Sequence, residues 1–213
     1  MTFSIVARCT RTDQLGMAVS SSSPAVAARC AHAKAGVGVV ASQNITDPRL
    51  GPKTLLAMAE GHSAPEAVKM IINASKNADF RQLLAVDARG NAAIYSGSKS
   101  LGTHADFASH NAAAAGNLLA NPAIPEAMVT AFHQGTGHLG DRLIDAMRAA
   151  LALGGEAGAL HSAGLLLVGE QEWPMADLRC DWTEDCPIEA VAAAWNIYKP
   201  QMDDYIVRAL DPA

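Results

Sequence analysis

The sequence predicts an α+β fold, a four-layer αββα sandwich of two mainly antiparallel sheets, and two observations carry that expectation. Strand-like and helix-like segments arrive in runs, β-β-β, α-α, β-β-β, α-α, β-β, α, which excludes the strict alternation of a doubly wound parallel sheet. Each run also carries an apolar face. Two sheets packed on each other, with a helix pair on each outer side, bury all of those faces. No Pro/Ser-rich linker or charge block interrupts the 213 residues, which read as one domain over 1–213.

Taken in order, Thr2 to Ala7 and Leu15 to Ser20 fit strands, with the polar CTRTDQ between them as a hairpin connection. SSSPAVAARCAHAK reads as a short crossing segment. A third strand follows at Val37 to Ser42, with Gly36 and Gly38 flanking its start. After the turn-rich NITDPRLGP a helix runs from about Pro52 to Glu60 and stops at Gly61. Ser63-Ala64-Pro65-Glu66 opens the next helix, because a Ser cap and a Glu three residues on satisfy each other's orphan N–H groups and Pro is harmless in the first turn. RQLLAVDARGNAAIYSG gives two strands about a turn at Asp87 to Asn91, with Gly90 free to take a positive φ.

AAAAGNLLANP fits either a buried strand or the lead-in to a helix, and the strand is preferred. Asn121-Pro122 starts a helix to about His133, and a second runs from Leu139 to Leu153 with Leu143, Met147 and Leu151 on one face. HSAGLLLVG and MADLRCDW are strands. A last helix spans Ile188 to Tyr198, with a separate piece past Pro200.

Composition narrows the function classes. Half the residues are hydrophobic and the net charge is -5, with no basic stripe, which argues against a nucleic-acid partner. No basic segment precedes an apolar run at the start and no apolar stretch approaches a membrane span, so a cytoplasmic protein is expected. Four scattered cysteines suit reduced thiols. Cys30-Ala31-His32 and the Cys180, Cys186 pair lack the short paired spacings of zinc modules, and no Gly-rich phosphate loop opens a helix. We expect no metal and no cofactor.

The opening MTFSIVAR carries the chemistry. Removal of Met1 leaves Thr2 with a free α-amine beside its own hydroxyl, a base and a nucleophile on one residue. An α-amine titrates near pH 8, so a useful fraction is neutral at cell pH. TFSIVAR at the start, AGVGVVASQNITDPRLGP with its core at Ala35 to Gln43, VDARG at Val86 to Gly90 and GNLLA at Gly116 to Ala120 together resemble the domain-of-unknown-function family 1028, within the N-terminal nucleophile (Ntn) hydrolase superfamily. The resemblance spans most of the chain. It implies the Ntn αββα fold and an active cleft at the first residue of the mature chain, Thr2, attacking an amide or related C–N bond.

The superfamily analogy also implies an oxyanion hole at Gln43 and Asn44, where backbone N–H groups at a strand end face the developing charge; an ordinary strand end is the alternative. Asn117, polar within an apolar stretch, either anchors backbone or points into the cleft. Ser21 or Ser22 is placed to orient the Thr2 amine, although a serine run before Pro24 also suits a plain turn. Lys34 falls about where proteasome-like relatives carry a lysine, and otherwise is a solvated surface residue. His161 stands where many members have Gln preceded by basic residues; here the stretch is GGEAGALHSA, and the missing basic residues weaken the case for an anionic substrate group. The expected function is a hydrolase acting on a small molecule, in a homo-oligomer; the alternative is a non-catalytic oligomeric ligand-binding protein of the same fold.

Overall fold

The computed structural model describes residues 2–212, so the expected removal of Met1 lies outside the described residues. Strand β1 (Thr2–Arg8) sets the architecture. Phe3, Ile5 and Ala7 fall on one face and Thr2, Ser4 and Val6 on the other, and all six are buried. A strand buried on both faces belongs in the middle of a layered molecule.

Around β1 lie β2 (Leu15–Ser21), β7 (Ala105–Ser109), β8 (Ala112–Asn117), β9 (Ser162–Val168) and β10 (Ala176–Cys180), forming a six-stranded sheet in the order β10-β9-β2-β1-β8-β7. The second sheet has β3 (Ala31–Lys34), β4 (Gly38–Asn44), β5 (Arg81–Asp87) and β6 (Ala92–Ser96) side by side. Every strand pairing in both is antiparallel. The sheets meet through Val6, Met17, Val19, Val39, Leu84 and Val86. Helices α2 (Leu50–Ala59) and α3 (Ala64–Asn73) cover the smaller sheet, whereas α4 (Ile124–Gln134), α5 (Leu139–Ala152) and α6 (Pro187–Tyr198) cover the larger. The order of layers is the predicted αββα sandwich.

Differences from the sequence reading have local causes. The crossing segment contains a short helix, α1 (Val26–Cys30), and then edge strand β3; five residues are too few to show a helical period. Strand β7, in a stretch where the sequence shows no element, is an edge strand with only alternate residues shielded, so its signal is faint. The larger sheet carries three helices rather than a pair, while the separate piece expected past Pro200 is α7 (Met202–Leu210). The alanine run Ala112 to Ala115 is wholly buried in β8, the buried strand preferred from the sequence. Among the described residues no helix is long and apolar enough to cross a membrane.

The reciprocal cap at Ser63 and Glu66 forms as its spacing requires, with the Ser63 N–H donating to Glu66 Oε2 at 2.8 Å. A second constraint meets it there. Buried Asp87 accepts from Ala64 N, Arg89 N, Asn91 N and Asn91 Nδ2 at 2.8–3.0 Å, tying the start of α3 to a turn in which Gly90 holds φ 84°. Burial alone would raise the Asp87 carboxyl, but these donors outweigh it and hold it below the usual carboxylate range. A depressed folded-state value means stability gained above the unfolded value near 3.8 and lost as pH falls through the folded one. Asp87→Asn is therefore expected to lower unfolding stability by about 2 kcal/mol at pH 7, and by less at pH 3, measured by urea titration at both.

Candidate active site

The inter-sheet core is apolar along most of its length and polar at one end. Antiparallel register puts Thr2 opposite Asn117 of β8, and Ser21 of β2 opposite Ser162 of β9. The Thr2 hydroxyl donates to Ser21 Oγ at 3.3 Å, which completes a row Ser162, Ser21, Thr2, Asn117 across four adjacent strands. All four are buried; Thr2 retains 4 % exposure.

The facing sheet presents a matching row, with Gln43 opposite Gln82 and Gln82 opposite Ser96. Side chains join the two sheets. Ser4 Oγ donates to Gln43 Oε1 at 2.6 Å, Gln43 Nε2 donates to Gln82 Oε1 and to Ala115 O, and Asn117 Nδ2 donates to Gln82 Oε1 at 2.9 Å. Gln82 Nε2 in turn donates to Ser96 Oγ and Gly116 O. Buried amides cost several kcal/mol unless paired, so this network fixes how one sheet sits on the other beneath Thr2. One acceptor is left over: Asn117 Oδ1 is buried with no hydrogen-bond partner among the described residues.

Of the residues singled out from sequence, Thr2, Ser21, Asn117 and Gln43 share this end of the core. Asn44 lies beside them at the tip of β4 in a left-handed conformation, φ 71°, its side chain donating to Phe80 O at 2.6 Å and accepting from Leu101 N at 3.2 Å. Strand β3 pairs with β4 only as far as Ala41, so β3 does not cover the edge of β4 at residues 42–44. Ser21 is further held by Ser23, whose N–H donates to its Oγ at 3.1 Å. The Ser22 N–H donates to Glu156 Oε2 at 3.2 Å. His161 caps the serine strand, its N–H donating to Ser21 O at 2.9 Å, and its ring stacks on Trp182 at 4.2 Å with Nδ1 2.8 Å from Thr183 O.

Lys34 is not part of this group. It is exposed at the far end of β3, opposite Gly38, five residues along β4 from Gln43 and so about 17 Å away. The reason is topological: β3 runs antiparallel to β4 and carries its last residue away from the polar end.

Three participants escaped the sequence reading. Ser4 and Gln82 were hidden inside runs read only as strands, although Ser4 extends the polar face begun by Thr2 and Gln82 is a polar residue on the face of Leu84 and Val86. Glu156, in the connection GGEAG, is 4 % exposed, and burial pushes its carboxyl up to about 7. The signal for it was the lone acid between a glycine pair and the serine strand; its burial appears only in three dimensions. Among the described residues no cluster of three or more His, Cys, Asp or Glu is placed to hold a metal.

The model of DUF1028, a family of unknown function, matches residues 2–191. A crystal structure of a DUF1028 protein from Silicibacter pomeroyi is similar over 92 % of this chain and 88 % of that one, at 29 % identity and a TM-score of 0.85. Anbu (ancestral beta-subunit) from Yersinia bercovieri aligns over 95 % of this chain and 96 % of that one at 12 % identity, TM-score 0.42. An Anbu (Gly-1) mutant from Hyphomicrobium sp. strain MC1 aligns over 96 % and 97 % at 10 % identity, TM-score 0.45. No curated protein matches the chain.

Proposed function

We propose that this chain, which belongs to the DUF1028 family, is a hydrolase that uses Thr2 as an N-terminal nucleophile on an amide or related C–N bond of a small molecule. One observation carries the reading: Thr2 stands at the head of the central strand, on the inter-sheet face, where its hydroxyl meets Ser21 and the side chains around it are polar and fixed. A hydroxyl held this way is oriented before substrate arrives, which lowers the entropic part of the barrier.

In the mature chain the neutral α-amine of Thr2 takes the hydroxyl proton as Oγ1 attacks the substrate carbonyl. The C–O bond forms and the carbonyl electron pair moves onto oxygen. The open edge of β4 at residues 42–44 supports a role for the Gln43 and Asn44 backbone in meeting that charge. Collapse expels the amine, which takes the proton back from the ammonium. The ester left on Thr2 is then hydrolysed by water, again with the amine as base, releasing the acid. Asn117 Oδ1, buried and without a partner among the described residues, suits a donor on the substrate, such as the N–H of the scissile amide. Homo-oligomeric assembly and a cytoplasmic setting belong to the same reading.

Mass spectrometry of the chain from its own host tests the premise. Intact mass is expected to lack Met1, and brief incubation with an activated acyl amide is expected to add one acyl group mapping to Thr2. Retention of Met1 on essentially all copies, with no adduct, would favour a non-catalytic binding protein.

A further inference from the structure

Glu156 occupies a position that the chemistry proposed above does not use. Past the end of β8 the chain continues through Leu118 to Ala120, and two segments flank that continuation. On one side Leu119 N donates to Thr103 O. On the other, Ala157 N donates to Leu118 O at 2.9 Å and Ala120 N to Gly155 O at 3.0 Å, so that Glu156 pairs with Leu119. This second side of β8 is the lane of β1. The Glu156 side chain then crosses towards β2, where Oε2 accepts from Ser22 N, one residue beyond the serine that meets the Thr2 hydroxyl. Since β2 and β8 are the two neighbours of β1, a group anchored on the extension of one and bonded to the extension of the other lies directly ahead of the first residue of β1.

That carboxylate is nine-tenths buried, and its Oε1 has no hydrogen-bond partner among the described residues. A buried carboxylate with an idle oxygen calls for a cationic or N–H donor. We infer that Glu156 is the positioning residue for the Thr2 α-amine: in the mature chain its carboxylate accepts from the amine and sets the lone pair towards the Thr2 hydroxyl. The inference rests on the reading of Thr2 as the mature first residue. Burial lifts the Glu156 carboxyl to about 7, towards the ordinary range of an α-amine.

Among the described residues, His161, with Glu184 at 3.8 Å from its Nδ1, acts on Glu156 from the start of β9, and Arg29 of α1 donates to Ser23 nearby. Asp181, following β10, accepts from Ala25 N through its backbone carbonyl.

The test measures the amine and needs no substrate. The chain 2–213 is released from a cleavable fusion so that Thr2 is first, and its α-amine is labelled by reductive methylation across pH 6–9, with the N-terminal peptide quantified for wild type, Glu156→Gln and Glu156→Asp. Labelling follows the neutral fraction, and an opposite charge within a few ångströms shifts an amine by about one pK unit or more. Glu156→Gln is expected to label roughly tenfold faster at pH 7, while Glu156→Asp, which keeps the charge, stays near wild type. Equal labelling of wild type and Glu156→Gln in folded protein overturns the inference, as does Glu156→Asp behaving like Glu156→Gln. Should the amine respond as expected while no acyl adduct ever forms at Thr2, the hydrolase reading fails and the positioning role stands.

Discussion

Thr2→Ala is expected to lower turnover by at least about a thousandfold, equivalent to roughly 4 kcal/mol of transition-state stabilisation, with Thr2→Ser retaining most of the activity. The large effect follows from combining two roles in one residue. Alanine keeps the α-amine but removes the only atom of that residue able to form the ester, so no second group inherits the step. Serine restores the oxygen at the same distance from the backbone and loses only a methyl. The fold is expected to survive, since Thr2 keeps its place opposite Asn117 through backbone pairing and the side chain removed is small. The measurement is kcat/KM on a panel of chromogenic anilides and ureido compounds, with the unfolding midpoint alongside. Turnover unchanged by Thr2→Ala would remove Thr2 from the mechanism.

Gln82→Leu is expected to lower stability by about 3–5 kcal/mol, read as a shift in the urea midpoint at unchanged slope. Leucine fits the volume, and Gln82 is fully buried, so the loss is almost entirely one of hydrogen bonding. Four bonds disappear at once, those with Gln43, Asn117, Ser96 and Gly116. Gln43 Nε2 keeps Ala115 O, whereas Asn117 Nδ2 loses its bond to Gln82 and Asn117 Oδ1 already has no partner among the described residues. Because Asn117 pairs with Thr2, a residue more than a strand away from the nucleophile is expected to lower turnover as well. A Gln82→Leu variant as stable as wild type would mean that the polar end of the core is hydrated rather than mutually bonded.

The fold was legible where burial imposes a period. The short apolar run of β1 and the helical stripe of α5 each demand burial, and the cap at Ser63 declares its helix by chemistry alone. Where a segment is short or half-exposed the pattern thins, which is why α1, β3 and β7 did not emerge from sequence. The site was legible in part for a different reason. Asn117 stood out as polar in apolar company, Ser21 by its serine run and Thr2 by its place behind Met1, whereas Gln43 came only from the superfamily analogy. Lys34 was drawn in by its position along the chain, and β-strand geometry separates it from the others. Gln82 and Glu156 depend on which strand lies beside which, and no local pattern encodes that.

The central position of β1 also bears on the order of events during synthesis. A peptidase must draw the first few residues of its target into its own groove, yet here those residues are hydrogen-bonded on both sides, to β2 and to β8. The partner on the second side, β8, lies more than a hundred residues downstream. If Thr2 is the mature first residue, as the proposed function requires, trimming ahead of it is expected while the nascent chain is still emerging and β8 has not been made.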